Sequence, residues 1–552
     1  MDLADNPALE DYSLRYAPST FRSWTPWMIV MSCLAGLSAM AGYALNAAFV
    51  NEFGFGNSVL GFAVAMVITL PLMLAAAYAI ARKHIDIDLL TRGAGFGYLG
   101  STLTSLVYAT YTLIFLAYEG AIMAQAVTAI SGLDIHLSYV VVAVVMIPLT
   151  VYGMTFSSKF QAGTWPIWVL LIGIAIWSAA TAPHPLDNMV QSHVDGGGMV
   201  SGTVTVTLLT VFTIAAAQLA LAAQIGEQGD YLRLIGDPVP GKAGRWRLAV
   251  FLGGPGVALF SMLIFFASTL LVGYAETRVS PERAAEPVEL FTVVYERILG
   301  NHQAALVLAV VLVLLSQIKI NIMNTYSGSL SWSNFFSRVL HRHPGRAVWV
   351  FLQVGLSLVL MELDIYHNII TVLAWYANIG IAWIAAVASD LVINKRLLKV
   401  SPPQVEFRRA HLFNVNPVGF GSMVVAGVVS MAAYYGALGA TAAALSPFIA
   451  LVIALVLPPV LAVATRGRWY IARGSDLPAA GELPCVVCHG SYDVSDMAAC
   501  PFHEGTICSL CCSIEATCKD GCKPSAWRPV GPGEPVLLGL PVRVRAAAEE
   551  TA

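Results

Sequence analysis

The sequence predicts an all-α membrane protein of twelve transmembrane helices, followed by a small cysteine-rich module on the cytoplasmic side. Three observations support this fold class. Hydrophobic residues make up 57% of the chain and charged residues only 11%, whereas soluble domains are about 25% charged. Twelve apolar runs are long enough to cross a bilayer. Eight of the nine cysteines fall between positions 485 and 522, after the last apolar run.

We number the apolar runs as spans 1 to 12. A helix needs about 20 apolar residues to cross a hydrocarbon core, and only closed backbone hydrogen bonding is stable there, so runs of this length predict helices. The spans are 25–49, 57–81, 97–131, 136–154, 162–183, 200–224, 247–274, 302–326, 346–365, 367–391, 416–439 and 444–466. The polar outer connection 275–301 is expected to hold a short amphipathic helix near 290–298.

The distribution of basic residues predicts the orientation of the spans. If both termini lie in the cytoplasm, 26 of the 30 Lys and Arg residues fall on the cytoplasmic side, in agreement with the positive-inside rule. The N-terminal segment starts acidic and polar, so it is unlike a cleaved secretory signal. The net charge of −3 leaves no basic surface for nucleic acid. We expect an integral membrane protein of a bacterial inner membrane, with both termini cytoplasmic.

Changes in hydropathy divide the chain into five regions. The linker is predicted from its glycine and proline content. The regions are a cytoplasmic N-terminal segment 1–24, a transmembrane domain 25–470, a linker 471–484, a cysteine-rich metal-binding module 485–525 and a C-terminal tail 526–552.

Lys319 is a basic residue inside an apolar span, directly after the run 304–315. An ammonium at that depth costs about 2.5–3.5 kcal/mol on insertion scales. It should therefore face a protein-lined cavity with a partner, and not lipid. The alternative is a lysine that reaches the interface, but the basic cluster 338–346 lies too far along the chain. The position predicts a functional role for Lys319.

Three local sequences resemble the nucleobase–cation symporter family, whose members carry purines, cytosine, allantoin and hydantoins. They are 91–101 (TRGAGFGYLGS) before span 3, 230–233 (DYLR) after span 6 and 317–324 (QIKINIMN) in span 8. The resemblance covers about residues 10–470. It implies a leucine-transporter type of fold, in which spans 1–5 and spans 6–10 form a five-plus-five inverted repeat with two extra helices.

The resemblance also implies a substrate site at the midplane among spans 1, 3, 6 and 8, where interrupted helices expose backbone groups. Glycine permits such interruptions, and Asn and Gln offer paired donors and acceptors to the edge of a heterocyclic base. The candidate substrate-binding residues are Gly36, Ser38, Gly42, Tyr118, Glu119, Gln125, Gln218, Gln317, Asn321, Asn324 and Thr325. Alternatively, the small residues of span 1 and the polar stripe of span 8 serve helix packing alone.

Two positions depart from the family pattern. Sodium-coupled members place two adjacent hydroxyl residues before the span 8 asparagine, where this chain has Lys319 and Ile320. A hard cation needs oxygen ligands, so the ammonium of Lys319 would replace the ion and sodium coupling would be absent. In span 3, Glu119 stands in the segment where the family has Trp-Phe-Gly. We predict that Glu119 pairs with Lys319; the alternative is a neutral acid hydrogen-bonded to a hydroxyl.

The cysteine cluster predicts a metal site. Thiols stay reduced in the cytoplasm, which favours metal over a disulfide framework, and a segment with so small an apolar core needs metal to fold. The candidate ligands are Cys485, Cys488, Cys500, His503, Cys508, Cys511, Cys512, Cys518 and Cys522, with His489 as a further donor. Two tetrahedral zinc ions need eight such ligands; an iron–sulfur cluster within 508–522 is the alternative.

The sequence supports two functional hypotheses. The first is a secondary transporter that moves a nucleobase or related heterocycle by alternating access, without sodium. The second is a transporter-like receptor that signals ligand occupancy to a partner kinase or cyclase, because the cysteine run resembles a segment of some bacterial sensory proteins. No nucleotide-binding or catalytic motif indicates an enzyme. The expected partners are the heterocyclic substrate, membrane lipid and, for a receptor, a signalling protein, but no nucleic acid.

Overall fold

The computed structural model describes residues 13–18, 21–22, 24–151, 154–191, 194–195, 198–199, 205–475, 477–478 and 480–523. The expected C-terminal tail, most of the N-terminal segment and the last two residues of the cysteine-rich module lie outside these ranges.

Each of the twelve predicted spans coincides with helix. In the described residues, nine helical segments of at least 18 residues are apolar enough to cross a membrane, and a bent helix pair in span 1 makes a tenth crossing. Spans 4 and 9 are the shorter helices Ile135–Val151 and Arg346–Glu362, of 17 residues each. The other continuous helices are Phe55–Lys83, Gly100–Ser131, Met154–Ala180, Gly256–Ala275, His302–Leu340, Ile365–Ser389, Ser422–Tyr434 and Ser446–Ala464.

Span 1 is interrupted at its centre. The helix Pro26–Leu34 continues into a 3₁₀ turn, Ala35–Ser38, and a second helix, Ala41–Phe53, follows at an angle of 48°. At the break Ala39 is not helical (φ −55°, ψ 121°), and its N–H donates to the carbonyl of Gly36 at 3.2 Å. Carbonyl groups at such a break lack the partners of a continuous helix, so they can face a ligand.

Span 6, which is related to span 1 in an inverted repeat, is interrupted as well. The helix Leu208–Gln218 tightens into the 3₁₀ segment Leu219–Gln224 and then continues as Ile225–Leu232. Tightening of this kind in mid-helix is frequent at functional sites. The two interruptions lie against each other, because a Cβ added at Gly36 would be 3.7 Å from the side-chain nitrogen of Gln224.

The expected amphipathic helix between spans 7 and 8 extends over Pro287–Leu299. Its apolar face is buried and packs on span 8. Span 7 has a second helix, Ala243–Gly253, on the side of the termini.

The 91–101 motif packs against the connection between spans 10 and 11. A Cβ added at Gly93 would lie 2.2 Å from the carbonyl oxygen of Glu406, so only glycine fits there. The main-chain N–H groups of Tyr98 and Leu99 donate to the carbonyls of Phe413 (2.9 Å) and Asn414 (2.7 Å). The glycines that carry the family resemblance therefore permit a close backbone contact between the first repeat and the connection that follows the second repeat.

The cysteine-rich module contains two small antiparallel hairpins and one helix. The first hairpin pairs Glu482–Pro484 with Ser491–Asp493, and the second pairs Met497–Cys500 with Gly505–Cys508. The helix Ser509–Ile514 follows directly. The first strand begins three residues before the predicted start of the module at 485, because the cysteine spacing alone does not indicate the strand that precedes it.

Candidate functional site

A cavity lies between the interruptions of spans 1 and 6 and the centres of spans 3, 7 and 8. Its empty volume is about 790 Å³, including the part open to solvent. Much of its wall is apolar and aromatic. The polar side chains on the wall belong to Asn46, Tyr111, Glu119, Gln218, Gln224, Glu227, Ser261 and Asn324.

Five of the eleven predicted substrate-binding residues line this cavity. They are Gly36, Gly42, Glu119, Gln218 and Asn324. The remaining six, Ser38, Tyr118, Gln125, Gln317, Asn321 and Thr325, do not line it. Three of them, Gln317, Asn321 and Thr325, are polar residues of span 8 that are fully buried outside the cavity. The polar stripe of span 8 therefore lines the cavity at Asn324 and packs against other helices elsewhere.

Glu119 lies where spans 1, 3 and 8 meet. One carboxylate oxygen, Oε2, accepts a hydrogen bond from Nε2 of Gln317 at 2.7 Å and another from the N–H of Ala41 at 3.2 Å. The other oxygen, Oε1, is buried without a hydrogen-bond partner. The side chain is 1% exposed. An unpartnered acceptor in the wall of a cavity costs free energy unless a ligand or a proton satisfies it.

Lys319 does not pair with Glu119, and this prediction was wrong. The Lys319 ammonium lies 4.9 Å from the centre of the Trp165 ring and 3.5 Å from the hydroxyl of Thr164, both on span 5. Successive residues of a helix point in directions about 100° apart, so Lys319 faces span 5 while its neighbour Ile320 lines the cavity. Lys319 is fully buried. This position agrees with the expectation that Lys319 avoids lipid. Its partner, however, is the face of the Trp165 ring and not the carboxylate of Glu119.

Tyr118 and Gln125 face span 10 and not the cavity. The Tyr118 ring stacks on Tyr366, with ring centres 5.4 Å apart, and Gln125, two helical turns further along, lies on the same face of span 3. The expectation that Tyr118 stacks on a substrate ring is therefore not met in this conformation. Tyr118 is adjacent to Glu119 in sequence, and adjacent helical residues cannot share one face.

Sequence reasoning missed the aromatic wall and the second carboxylate of the cavity. Tyr111 and Phe115 precede Glu119 at intervals of four residues, so the three side chains share one face of span 3. That four-residue spacing, which is visible in the sequence, would have predicted that Tyr111 and Phe115 line the same cavity as Glu119. Glu227 and Gln224 follow the interruption of span 6, and one carboxylate oxygen of Glu227 is buried without a hydrogen-bond partner. Nothing in the local sequence distinguishes Glu227 from the nearby Asp230.

Charges are buried on the side of the termini, between the cavity and the connections. Arg233 of the 230–233 motif pairs with Asp86 at 3.4 Å, and both side chains are fully buried. Asp88 accepts hydrogen bonds from the hydroxyls of Ser105 (2.6 Å) and Ser331 (3.0 Å). These contacts hold the ends of spans 2, 3, 6 and 8 together.

Four cysteines of the module form a candidate metal centre. The sulfurs of Cys485, Cys488, Cys508 and Cys511 all lie within 4.8 Å of one another. Zinc–thiolate bonds of about 2.3 Å place the sulfurs of a tetrahedral site about 3.8 Å apart, so a small contraction completes the site. The N–H of Cys508 points at the sulfur of Cys485 (3.4 Å), and the N–H of Cys511 at that of Cys508 (3.5 Å). These four residues can hold a metal ion.

The other predicted ligands lie outside this group. The Nε2 atom of His503 is 2.9 Å from a carboxylate oxygen of Glu515. Cys500 ends the first strand of the second hairpin, Cys512 belongs to the helix Ser509–Ile514, and Cys518 and Cys522 follow that helix. Cys33, the cysteine of the chain that lies outside the module, is buried in span 1.

The module is docked on the transmembrane domain beside the N-terminal segment. Leu14 is 1% exposed and packs among the apolar residues of the metal centre. The hydroxyl of Tyr16 donates to Asp493 at 2.7 Å, and Arg15 lies 4.8 Å from the centre of the Tyr492 ring. The N-terminal segment therefore lies between the module and the spans.

A second set of contacts joins the module to the connection between spans 10 and 11. Arg409 donates to the carbonyl of Cys512 at 2.7 Å and to the carboxylate of Asp520 at 2.9 Å. Asn414 donates to the other oxygen of Asp520 at 3.0 Å. The Tyr98 hydroxyl, from the 91–101 motif, donates to the carbonyl of Ser513 at 3.3 Å. The module thus bridges three segments on one side of the helical bundle.

Comparison with known proteins places the fold. No family model matches the sequence, and no curated protein matches it. The fold is similar to that of Mhp1. For Mhp1, a nucleobase-cation-symport-1 family transporter, in a closed conformation with bromovinylhydantoin bound, the TM-score is 0.60 at 17% identity, over 83% of this chain and 96% of Mhp1.

Two further structures agree with this fold. The inward-facing conformation of Mhp1 gives a TM-score of 0.59 at 18% identity, over 82% of this chain and 93% of the other. A Na⁺-coupled sialic acid symporter in a substrate-bound outward-open state gives 0.54 at 13% identity, over 84% of this chain and 94% of the other. The predicted leucine-transporter type of fold is confirmed, and with it the resemblance at the level of fold. Together with the apolar helices, it identifies an integral membrane protein.

Proposed function

We propose that this protein is a secondary transporter that carries a small heterocyclic solute by alternating access. The observation that supports the proposal most directly is the cavity between the two interrupted spans, with unpartnered polar atoms in its wall. Interrupted helices at the midplane of an inverted repeat are where secondary transporters of this architecture bind substrate. The distribution of Lys and Arg supports an orientation in which both termini are cytoplasmic. The membrane we propose is a bacterial inner membrane.

The wall of the cavity indicates the chemistry of the solute. Among the residues that line it there is no Lys, Arg or His, whereas Glu119 and Glu227 each present an oxygen without a partner. Asn324 adds an amide nitrogen without a partner. Such a wall favours a solute that donates hydrogen bonds through ring N–H or amino groups and accepts one from Asn324. Tyr111 and Phe115 supply aromatic surface for a planar ring. A nucleobase or related heterocycle has all of these features.

The same two carboxylates support coupling to protons instead of sodium. A carboxylate in a closed, apolar cavity is costly unless a positive group or a proton neutralises it. Protonation of Glu119 or Glu227 would allow the closed state to form around a neutral solute. Sodium has poor ligands at the family's hydroxyl positions, because Ile320 is apolar and Lys319 is itself a cation.

Transport assays in proteoliposomes test both parts of the proposal. Uptake of labelled cytosine, adenine, hypoxanthine, allantoin and hydantoin is measured with an inward proton gradient, in sodium and in choline buffer. We expect the vesicles to accumulate one of these solutes. Replacing sodium with choline should change the amount accumulated by less than twofold. Glu119→Gln and Glu227→Gln should each lower proton-driven accumulation at least tenfold, whereas Glu282→Gln, on the exposed outer connection, should not. Steep dependence on sodium would contradict the coupling.

We further propose that the metal at Cys485, Cys488, Cys508 and Cys511 is zinc. Four thiolates in a closed, buried site are typical of structural zinc, and the hairpins of the module have little apolar core without it. Metal analysis of the purified chain should find zinc. Iron together with acid-labile sulfide would instead identify the iron–sulfur alternative.

The second candidate function, a receptor, is favoured by the docking of the module. Contacts with Tyr16 of the N-terminal segment and with Arg409 and Asn414 connect the module to segments that lead into spans 1 and 11. Rearrangement of these spans on ligand binding would move the module and change the surface offered to a kinase or cyclase. A receptor would bind labelled solute stoichiometrically without accumulating it. Binding without uptake would therefore replace the transporter proposal.

A further inference from the structure

Four cysteines remain once the first metal centre is assigned. Along the chain the module has two Cys-x2-Cys pairs, and the first centre takes both of them, 485/488 and 508/511. The remaining cysteines alternate with these pairs. They are Cys500, Cys512, Cys518 and Cys522. Four is the number of thiolate ligands that a second tetrahedral zinc ion needs.

The segments that carry these cysteines converge in space. One guanidinium, that of Arg409, donates to the carbonyl of Cys512 (2.7 Å) and to Asp520 (2.9 Å), so the end of the helix Ser509–Ile514 lies next to the turn that holds Cys518 and Cys522. The contact of 2.9 Å between His503 and Glu515 brings the turn after Cys500 to the same helix end. Three separate segments thus meet at one place.

Contacts within the module bring these cysteines to the same region. Cys500 and Cys512 pack in one cluster of side chains. The N–H of Gly521 donates to the carbonyl of Cys518 at 2.9 Å, so one tight turn carries Cys518 and Cys522.

Each group of cysteines also has a basic residue beside it. A divalent ion bound by four thiolates carries a net charge of about −2, which a nearby cation stabilises. Arg15 lies over the ring of Tyr492, whose hydroxyl is 3.4 Å from the sulfur of Cys488 in the first centre. In the second group, Arg409 contacts the carbonyl of Cys512 at 2.7 Å, and Lys523 pairs with Asp520 at 3.2 Å, beside Cys518 and Cys522.

We propose that Cys500, Cys512, Cys518 and Cys522 form a second mononuclear zinc-type site, interleaved with the first. In the described part of the chain only the first four cysteines already lie within 4.8 Å of one another, so the second group must contract when it binds metal. Binding of one divalent ion converts four thiols to thiolates and releases four protons, without oxidation or reduction.

His503 is not a ligand in this assignment, although the sequence suggested it. Its Nε2 atom is held by Glu515, and hydrogen bonds from Thr517, together with His503, lower the pKa of the Glu515 carboxyl to about 2. The carboxylate thus orients His503 toward the helix end, where the ring supports the turn after Cys500. Cys512 supplies the fourth sulfur in its place.

Metal analysis of the full chain in detergent tests the proposal. The wild-type chain should contain two zinc ions. Cys518→Ser/Cys522→Ser should contain one, whereas the control Cys33→Ser, in span 1, and His503→Gln should contain two. A wild-type content of one ion, or an unchanged content in the double variant, would overturn the second site. Loss of one ion in His503→Gln would overturn the ligand set.

Cobalt titration of the metal-depleted chain uses only the wild-type sequence, so the result does not depend on whether a variant folds. Thiolate-to-cobalt charge-transfer absorbance should rise to a plateau at two equivalents, with an intensity per ion that corresponds to four thiolates at both steps. A plateau at one equivalent contradicts the proposal. Iron and acid-labile sulfide in place of the second zinc would contradict a mononuclear site.

Discussion

Gln317 connects spans 3 and 8 through a single amide, whose nitrogen donates to both the carboxylate (2.7 Å) and the main-chain carbonyl (2.9 Å) of Glu119. The amide oxygen of Gln317 in turn accepts from the N–H of Met40, at the break in span 1, at 3.4 Å. Three spans around the cavity therefore meet at this one side chain. The sequence predicts the ammonium of Lys319 as the partner of this carboxylate, whereas the structure has the amide of Gln317 there. The amide orients the carboxylate but does not neutralise its charge.

Gln317→Leu should destabilise the protein more than the loss of one ordinary hydrogen bond. It leaves two buried acceptors of Glu119 without this donor, and an unsatisfied buried group costs about 1–3 kcal/mol. The double variant Glu119→Leu/Gln317→Leu should be more stable than the sum of the two single losses predicts. The reason is that Glu119→Leu removes the carboxylate that Gln317→Leu leaves without its donor. Unfolding in mixed micelles measures all three free energies. Strictly additive losses would contradict a direct coupling of the two side chains.

Lys319→Met should leave the thermal stability unchanged or raise it. The substitution removes a buried charge whose partners are a ring and a hydroxyl, and apolar replacement of buried charges is often neutral or stabilising. Trp165→Leu should instead lower the free energy of unfolding by about 0.5–2 kcal/mol beyond its packing cost, because the ammonium loses its aromatic partner. That excess should disappear when Trp165→Leu is made in the Lys319→Met background. An equal cost in both backgrounds would exclude the cation–π contact.

The case of Lys319 shows how far the sequence could lead. The length and hydropathy of the spans predict the helices, because the bilayer fixes both quantities. The cost of a buried charge predicts that Lys319 avoids lipid. The direction of its side chain depends on the rotation of span 8 against span 5, which is a property of helix packing that no local pattern encodes. The partner was therefore the uncertain part of the prediction.

The cavity was predictable where spacing along one helix was sufficient. Glu119 and Asn324 were assigned from their spans, and the four-residue spacing of Tyr111, Phe115 and Glu119 would have added the aromatic wall. Tyr118 was assigned from the family's aromatic segment, but it lies one residue away from the lining face. Glu227 faces the cavity because span 6 tightens before it, and a change of helix type is difficult to read from sequence.

Gly93→Ala should lower stability strongly because the contact of the 91–101 motif is main chain against main chain. The new methyl group would lie 2.2 Å from the carbonyl oxygen of Glu406, which cannot move aside as a flexible side chain can. Overpacking of this kind typically costs about 1–3 kcal/mol. Gly427→Ala is the matched control, since a Cβ there meets nothing within 4 Å and the residue lies inside the helix Ser422–Tyr434.

The control should be neutral or stabilising by about 0.5–1 kcal/mol, because alanine is the better helix former. Thermal unfolding followed by tryptophan fluorescence in detergent separates the two variants. Equal melting temperatures for the two variants would mean that the 91–101 motif does not hold the connection between spans 10 and 11 as described.

Arg409→Gln should release the cysteine-rich module from the transmembrane domain without unfolding either part. The guanidinium supplies contacts to Cys512, Glu515 and Asp520, and a glutamine amide can replace only one of them. Arg468→Gln, an exposed position at the end of span 12, is the control for loss of a positive charge. Hydrogen exchange should become faster in 409–416 and in 509–523 in the first variant only. Unchanged exchange in both segments would show that Tyr98 and the N-terminal segment are sufficient to hold the module.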